Sequence, residues 1–419
     1  MTRTGPVIEV AEQWPVPVGE TGGGRYGKGS AHTYVLLLPL GPVEADPPPR
    51  AGEDMTDGIG AGYHGTGRVR VMTTHGEDRA ALDGVRQPML RRLVPVVALL
   101  FLAPWAAECS WGGFAGTDML GVVVVLAPMY GGAAVLIREA ARRTGGGWPM
   151  IVLLAAGFGV VQAGLVDQSL FNPDYLADTE FAELSAADRT RVPVLGISAQ
   201  EAISFLGNHV ALTICAPIAI VESYLSPARR LRPWLGASGL VAVTVLYLLG
   251  SLLVFADDSG RKGFLASPGQ LIGATSVVLT LVAVAALPRW RRRPPPAPAD
   301  APRPTRPGLL VLLVYLGVSM LSGWVGVAVS VVVVAALVWL LVRWAGRAGW
   351  GQRHVLAGAA GALVGAAVLA YLVPPYSPAS PTRALVSDVI VSLLAIAMLA
   401  GAYARLRRHG ESPPVAPAR

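Results

Sequence analysis

Residues 324–344 read WVGVAVSVVVVAALVWLLVRW, with no charge before Arg343. As a helix, at 1.5 Å per residue, such a run rises about 30 Å, the thickness of the hydrocarbon layer of a bilayer. Arg343, Arg347 and Arg353 follow it, and Ser322 and Gly323 separate it from a second apolar run at 308–321. Positions 308–344 are therefore either a tight hairpin of two helices or one long bent helix. The choice decides on which side of a membrane every later basic residue falls, and so the topology of the chain.

Across the chain, spans of this type lie near 93–108, 119–138, 149–168, 198–222, 234–256, 268–288, 308–321, 324–344, 354–373 and 384–404. Basic residues cluster at every second gap: Arg91/Arg92, Arg138/Arg142/Arg143, Arg229/Arg230/Arg232, Arg289–Arg306, Arg343/Arg347/Arg353 and Arg405/Arg407/Arg408. The alternate loops carry Asp174, Asp178, Glu180, Glu183, Asp188, Asp257 and Asp258 against few basic groups. All the arginine clusters share one side only if 308–344 is a hairpin, which favours ten spans. Basic flanks stay in the cytoplasm, so both termini are expected there. The expected fold class is all-α, a polytopic transmembrane helical bundle in the plasma membrane.

Composition agrees, with 53% hydrophobic and 15% charged residues in 419. From Met89 onward there are 26 Lys and Arg against 16 Asp and Glu, whereas residues 1–88 hold 8 against 11. Those basic residues sit in short loops beside apolar runs. Membrane lipids are therefore the expected partners, and nucleic acid is not.

Residues 1–88 are rich in Gly, Pro and charge and lack an apolar period. They read as a wrongly assigned start, with translation beginning at Met89-Leu-Arg-Arg92, or else as a disordered tail. Six spans over 89–288 are expected as one membrane domain and four over 308–405 as a second, followed by a disordered tail at 406–419. The Pro/Arg-rich stretch 289–307 between them reads as an extended cytosolic linker. Its Arg289, Arg291, Arg292 and Arg293 could meet anionic headgroups or a protein partner. The first span could instead be a cleaved signal peptide, but Trp105 and Glu108 spoil the cleavage chemistry. Cys109 and Cys215 are not expected to pair, and no metal or cofactor motif is present.

Polar residues penetrate deeply only in the fourth span, at Glu201, Ser204, Asn208, His209, Cys215 and Glu222. On a regular helix Glu201, Asn208, Cys215 and Glu222 fall within about 60° of one another, with Ser204 beside them and His209 at the edge. Ionisable groups at that depth are expensive and face a cavity or a partner helix. Gln162 in the third span is a further candidate wall. By the same geometry Asp167 points about 140° away from Gln162, toward the outer interface. Pro128, with Gly131 and Gly132, marks the second span as a candidate broken helix. Gly361-xxx-Gly365 reads as a close-packing seam, internal or dimeric.

Phe205-Leu-Gly-Asn-His209 resembles the Phe-xxx-His motif of the CAAX-protease and bacteriocin-processing (CPBP) intramembrane proteases. The resemblance implies a hydrolase in which His209 assists a carboxylate that activates water. The family's first motif is lost here, because the corresponding stretch runs from Gln162 to Asp167 with neither glutamates nor arginine, and a glutamine is no general base. Glu201 would have to replace it. The runs at 131–139 and 168–173 are more similar to uncharacterised actinobacterial polytopic membrane proteins, which bring no activity to transfer. The leading expectation is binding or transport of a small or lipidic ligand at Gln162, Glu201, Ser204, Asn208 and His209. A CPBP-like hydrolase or inactive relative, with His209 and Glu201 as catalytic candidates, and a structural membrane partner are the alternatives.

Overall fold

The computed structural model describes residues 89–182, 188–290 and 297–409. The segment 1–88, Arg291, Arg292, Arg293 and the tail beyond His409 lie outside the described residues, as does Glu183. Ten apolar helices follow in order: α1 (Arg92–Cys109), α2 (Asp118–Arg143), α3 (Trp148–Val166), α4 (Ala199–Ser223), α5 (Ala237–Asp257), α6 (Pro268–Ala285), α7 (Thr305–Met320), α8 (Gly323–Ala345), α9 (Gln352–Leu369) and α10 (Pro381–Arg408). Among the described residues, nine are long and apolar enough to cross a bilayer. α7 is the shorter one. The chain is a helical multi-pass membrane protein. Among the described residues, strands are confined to two short pairs: β1 (Arg191–Val192) with β2 (Ile197–Ser198), antiparallel, and β3 (Ala297–Asp300) with β4 (Arg347–Ala348), parallel.

The stretch that decides the topology is broken where the sequence suggests. Leu321 and Ser322 are extended and Gly323 sits at φ +69°, in the left-handed region that suits glycine, so α7 and α8 are separate helices. α9 then lies parallel to α7. A Cβ placed on Gly361 would overlap the Gly308 carbonyl and approach Leu312 N to 2.9 Å, and one on Gly365 would approach the Tyr315 ring to 2.7 Å. The small-residue seam is therefore internal, between α7 and α9. Both helices start from the end where β3 pairs with β4, and His354 Nε2 meets the Pro302 carbonyl at 2.8 Å. α8 has to run back between them. Of the 289–307 stretch, Arg289 and Trp290 close a 3-10 turn, Ala297–Asp300 is extended and paired with β4, Thr305–Pro307 already belong to α7, and Pro302 is pinned against the start of α9.

Burial grades outward from α2, α3 and α9. In α3, 61% of the membrane-length window is buried, against 11% in α5, α6 and α8, whose leucines and valines face outward as lipid-facing side chains do. α6 packs on α3, where Gly164 lets Ala274 approach, and begins with a capping box: Gln270 N–H donates to Ser267 Oγ and Ser267 N–H donates to Gln270 Oε1.

At the basic end, α2 and α4 are joined by ions withdrawn from solvent. Glu222 and Glu139 are fully buried, as is Arg138. Arg142 donates through Nε and Nη2 to the two oxygens of Glu222 at 2.9 and 2.6 Å, a bidentate fork. Arg138 donates to Glu222 at 3.2 Å, to Glu139 at 2.7 Å and to the Arg230 carbonyl at 2.8 Å, and its guanidinium lies 3.6 Å over the Trp234 ring. Glu139 in turn accepts from the backbone N–H groups of Trp234 and Leu235. Burial lowers the pKa of the neighbouring Arg230 guanidinium, with Arg142 acting in the same direction and Glu222 against it. Residues that read as separate basic flanks, and a glutamate that reads as part of the fourth span's polar stripe, form one network.

Removing one member of a buried charge set leaves its partners unpaired, at a cost of about 3–5 kcal/mol. Glu222→Ala is accordingly expected to abolish the monodisperse species or lower its thermal stability steeply in detergent. Arg232→Ala, at an exposed position, should stay within about 0.5 kcal/mol of the parent.

Candidate functional site

Each of the first four helices loosens once, replacing the i→i+4 ladder by i→i+5 bonds: at Trp105–Cys109 in α1, Ala127–Gly131 in α2, Gln162–Val166 in α3 and His209–Cys215 in α4. Proline accompanies three of them. Pro104 precedes the first, Pro128 lies in the second and Pro217 follows the fourth. A proline ring clashes with the carbonyl four residues back, which for Pro217 is that of Thr213, inside the widened turn; for Pro104 and Pro128 it is that of Leu100 and Val124, in the regular turns before. The second span is widened at Pro128, and its helix continues through it.

All four widened turns supply walls to one cavity of about 560 Å³. Glu108 comes from α1, Met129 and Tyr130 from α2, Gln162 from α3, and His209 and Thr213 from α4; Phe205 and Asn208 add the turn before, and Asp257 the end of α5. The loops opposite the basic end close over it. Trp111, Phe114 and Tyr376 line the cavity, and with Phe181 they form a cluster whose centroids are 5.2–5.8 Å apart. Tyr376 N–H donates to the Gly113 carbonyl at 2.8 Å, and Glu180 N–H donates to the Tyr376 carbonyl at 3.2 Å, so three loops are tied at this mouth.

The widened turn in α3 overturns the expected position of Asp167. Asp167 N–H donates to the Gln162 carbonyl at 3.0 Å, five residues back, which stacks the two side chains on one face. Gln162 Nε2 then donates to Asp167 Oδ2 at 3.1 Å, while Asp167 Oδ1 accepts from Ser169 N–H at 2.9 Å. Both side chains are buried and both line the cavity. Gln162 Oε1 has no hydrogen-bond partner among the described residues. Next to them Gln168 takes φ +57°, held by its Oε1 accepting from Ala266 N–H at 2.7 Å.

Of the five residues expected to form the site, Gln162, Asn208 and His209 meet in the cavity and two do not. Ser204 is exposed and lies outside it. Glu201 lines a separate crevice of about 10 Å³ with Ser198 and Arg191, room for a water at most. His209 Nδ1 is 3.2 Å from Thr213 Oγ1 and its ring stands edge-on to Tyr130 and Phe158. Asn208 Oδ1 accepts from the Tyr315 hydroxyl at 2.9 Å, which ties α4 to α7. The heptad stripe fails downstream for a geometric reason. An extra residue in a turn rotates the remainder of the helix by about 100°, so the widened His209–Cys215 segment takes Cys215 and Glu222 off the face that Asn208 occupies. Cys109 and Cys215 are both free thiols.

Comparison with known proteins returns no match: no protein family, no curated protein and no solved structure is similar to this chain. What the site can do rests on its own geometry.

Asp167→Ala would strand the Ser169 N–H and the Gln162 amide, at an expected cost of about 1–3 kcal/mol. Ser204→Ala is expected within about 0.5 kcal/mol of the parent. Chemical unfolding in detergent distinguishes the two.

Proposed function

We propose that this is a ten-span plasma-membrane protein, with both termini in the cytoplasm, that binds and moves a small ligand at the cavity around Gln162, Asn208 and His209. The carrying observation is the convergence of four widened helical turns on one polar cavity, since irregular backbone at membrane depth is tolerated where it lines such a space. Its volume lies in the range of small-molecule sites. The orientation is supported by the arginine side, which holds the Arg138–Glu222 network, β3 and β4. The cavity mouth belongs to the opposite, acidic side. At the basic end the Arg289 guanidinium lies 4.2 Å over the Trp290 ring, an arrangement suited to anionic headgroups.

The second reading is an intramembrane hydrolase, a distant relative of the CPBP proteases. One observation favours it: Asp167 and His209 line the same cavity, so a carboxylate and an imidazole share it without Glu201. Binding takes precedence because the ring of His209 bonds Thr213, and among the described residues no carboxylate is hydrogen-bonded to it.

A site that moves its ligand is reachable from both sides in turn. With Cys109 and Cys215 replaced by Ser, Asn208→Cys in oriented proteoliposomes should react with a charged, impermeant methanethiosulfonate from the outer face, and more slowly from the inner. Ser377→Cys should label only from outside and Arg303→Cys only from inside. Reaction of Asn208→Cys from neither side contradicts a ligand site, and reversed labelling of the two loop positions contradicts the orientation.

A further inference from the structure

The cavity has three properties that together select one chemical class of ligand. Its described lining carries four carboxylates, Glu108, Asp167, Asp178 and Asp257, and neither lysine nor arginine. Each carboxylate already takes part in interactions within the protein, so the selection rests on the sign of the wall and not on a free carboxylate. Aromatic rings share that wall, and the faces of Trp and Tyr rings attract cations.

Independent of both is Gln162. The residue is 1% exposed, lines the cavity, and holds an Oε1 with no partner among the described residues. Nε2 donates to Asp167, and turning the amide over would set oxygen against oxygen, so the unpartnered atom is an acceptor. A buried acceptor without a donor is costly, and a ligand bearing N–H or O–H recovers that cost. Anions are opposed by the carboxylates, and a quaternary ammonium has no hydrogen to give. Among the described residues no three of His, Cys, Asp or Glu come together to hold a metal ion. About 560 Å³ is also far more than a bare ion fills.

We infer that the cavity binds a small organic amine in its protonated form, whose ammonium N–H is donated to Gln162 Oε1 and whose charge is balanced by the acidic and aromatic wall. This rests on the cavity being a ligand site.

Four probes of one shape test it by calorimetric titration, to millimolar concentration, of the full chain in lipid nanodiscs at neutral pH. They are phenethylammonium, its trimethylammonium analogue, phenethyl alcohol and hydrocinnamate. Phenethylammonium is expected to bind tightest, and Gln162→Leu to weaken it about tenfold or more, as loss of a hydrogen bond to a charged donor does. The trimethylammonium analogue should bind the parent and Gln162→Leu equally, which separates a lost acceptor from a collapsed cavity. Equal or tighter binding of the alcohol, the acid or the trimethylammonium analogue overturns the amine assignment. So does binding of none of the four when Asn208→Cys still labels. Absence of both binding and labelling removes the ligand-site reading itself and the amine with it.

Discussion

In hydrocarbon there is no water to satisfy a backbone N–H or C=O, so a membrane helix that must open a polar space cannot simply unwind. The first four helices of this protein meet that constraint in the same way. Each inserts a widened segment, of five residues in α1, α2 and α3 and seven in α4, whose amides still find carbonyls, one residue further back than usual. The bonds are kept while the side-chain register changes. Asp167 illustrates the gain: a regular turn points it about 140° from Gln162, whereas the widened turn brings the two within hydrogen-bond distance, at 3.1 Å. The cavity is what remains where four such turns face one another.

Widened turns weaken local packing, and the basic end compensates. Arg138, Glu139, Arg142 and Glu222 hold α2 to α4 just below the widened parts of both helices, and the backbone of the 4–5 loop closes the same network. Two guanidinium groups against two carboxylates leave no net charge among these four, and further donors and acceptors are taken up by main-chain groups and by the partly exposed Arg143, 3.3 Å from Glu139. That saturation is what makes burial of four ions tolerable, because desolvation of each would otherwise exceed the Coulombic return. At the other end the join is apolar, through the rings of Trp111, Phe114, Phe181 and Tyr376. A polar clamp on one side and an aromatic cover on the other place the cavity mouth on the acidic side.

Much of the architecture was legible from apolar run length and the spacing of arginines. The break at Leu321–Ser322 is an example, since no other reading keeps the later clusters on one side. Gln162, Asn208 and His209 were legible because polar groups at membrane depth need a reason. Asp167 and Glu222 were misplaced because every angle was taken at 100° per residue, and a widened turn breaks that rule without changing composition. Pro104, Pro128 and Pro217 were the available signal for such turns. Glu108, Tyr130 and Asp257 were hidden for a plainer reason: each sits near the end or the broken part of a different helix, and only tertiary packing brings them together. Ser204 satisfied the helical angle, yet that face of α4 is exposed.

The widened turn in α3 is the most economical point at which to test the account. In a background with Cys109 and Cys215 replaced by Ser, a short bifunctional methanethiosulfonate should bridge Gln162→Cys to Asp167→Cys within one chain, as read by mass spectrometry of the intact protein. A chain that bridges Gln162→Cys to Val166→Cys but leaves the 162–167 pair unlinked has a regular α-turn there, and would contradict the geometry on which the cavity depends.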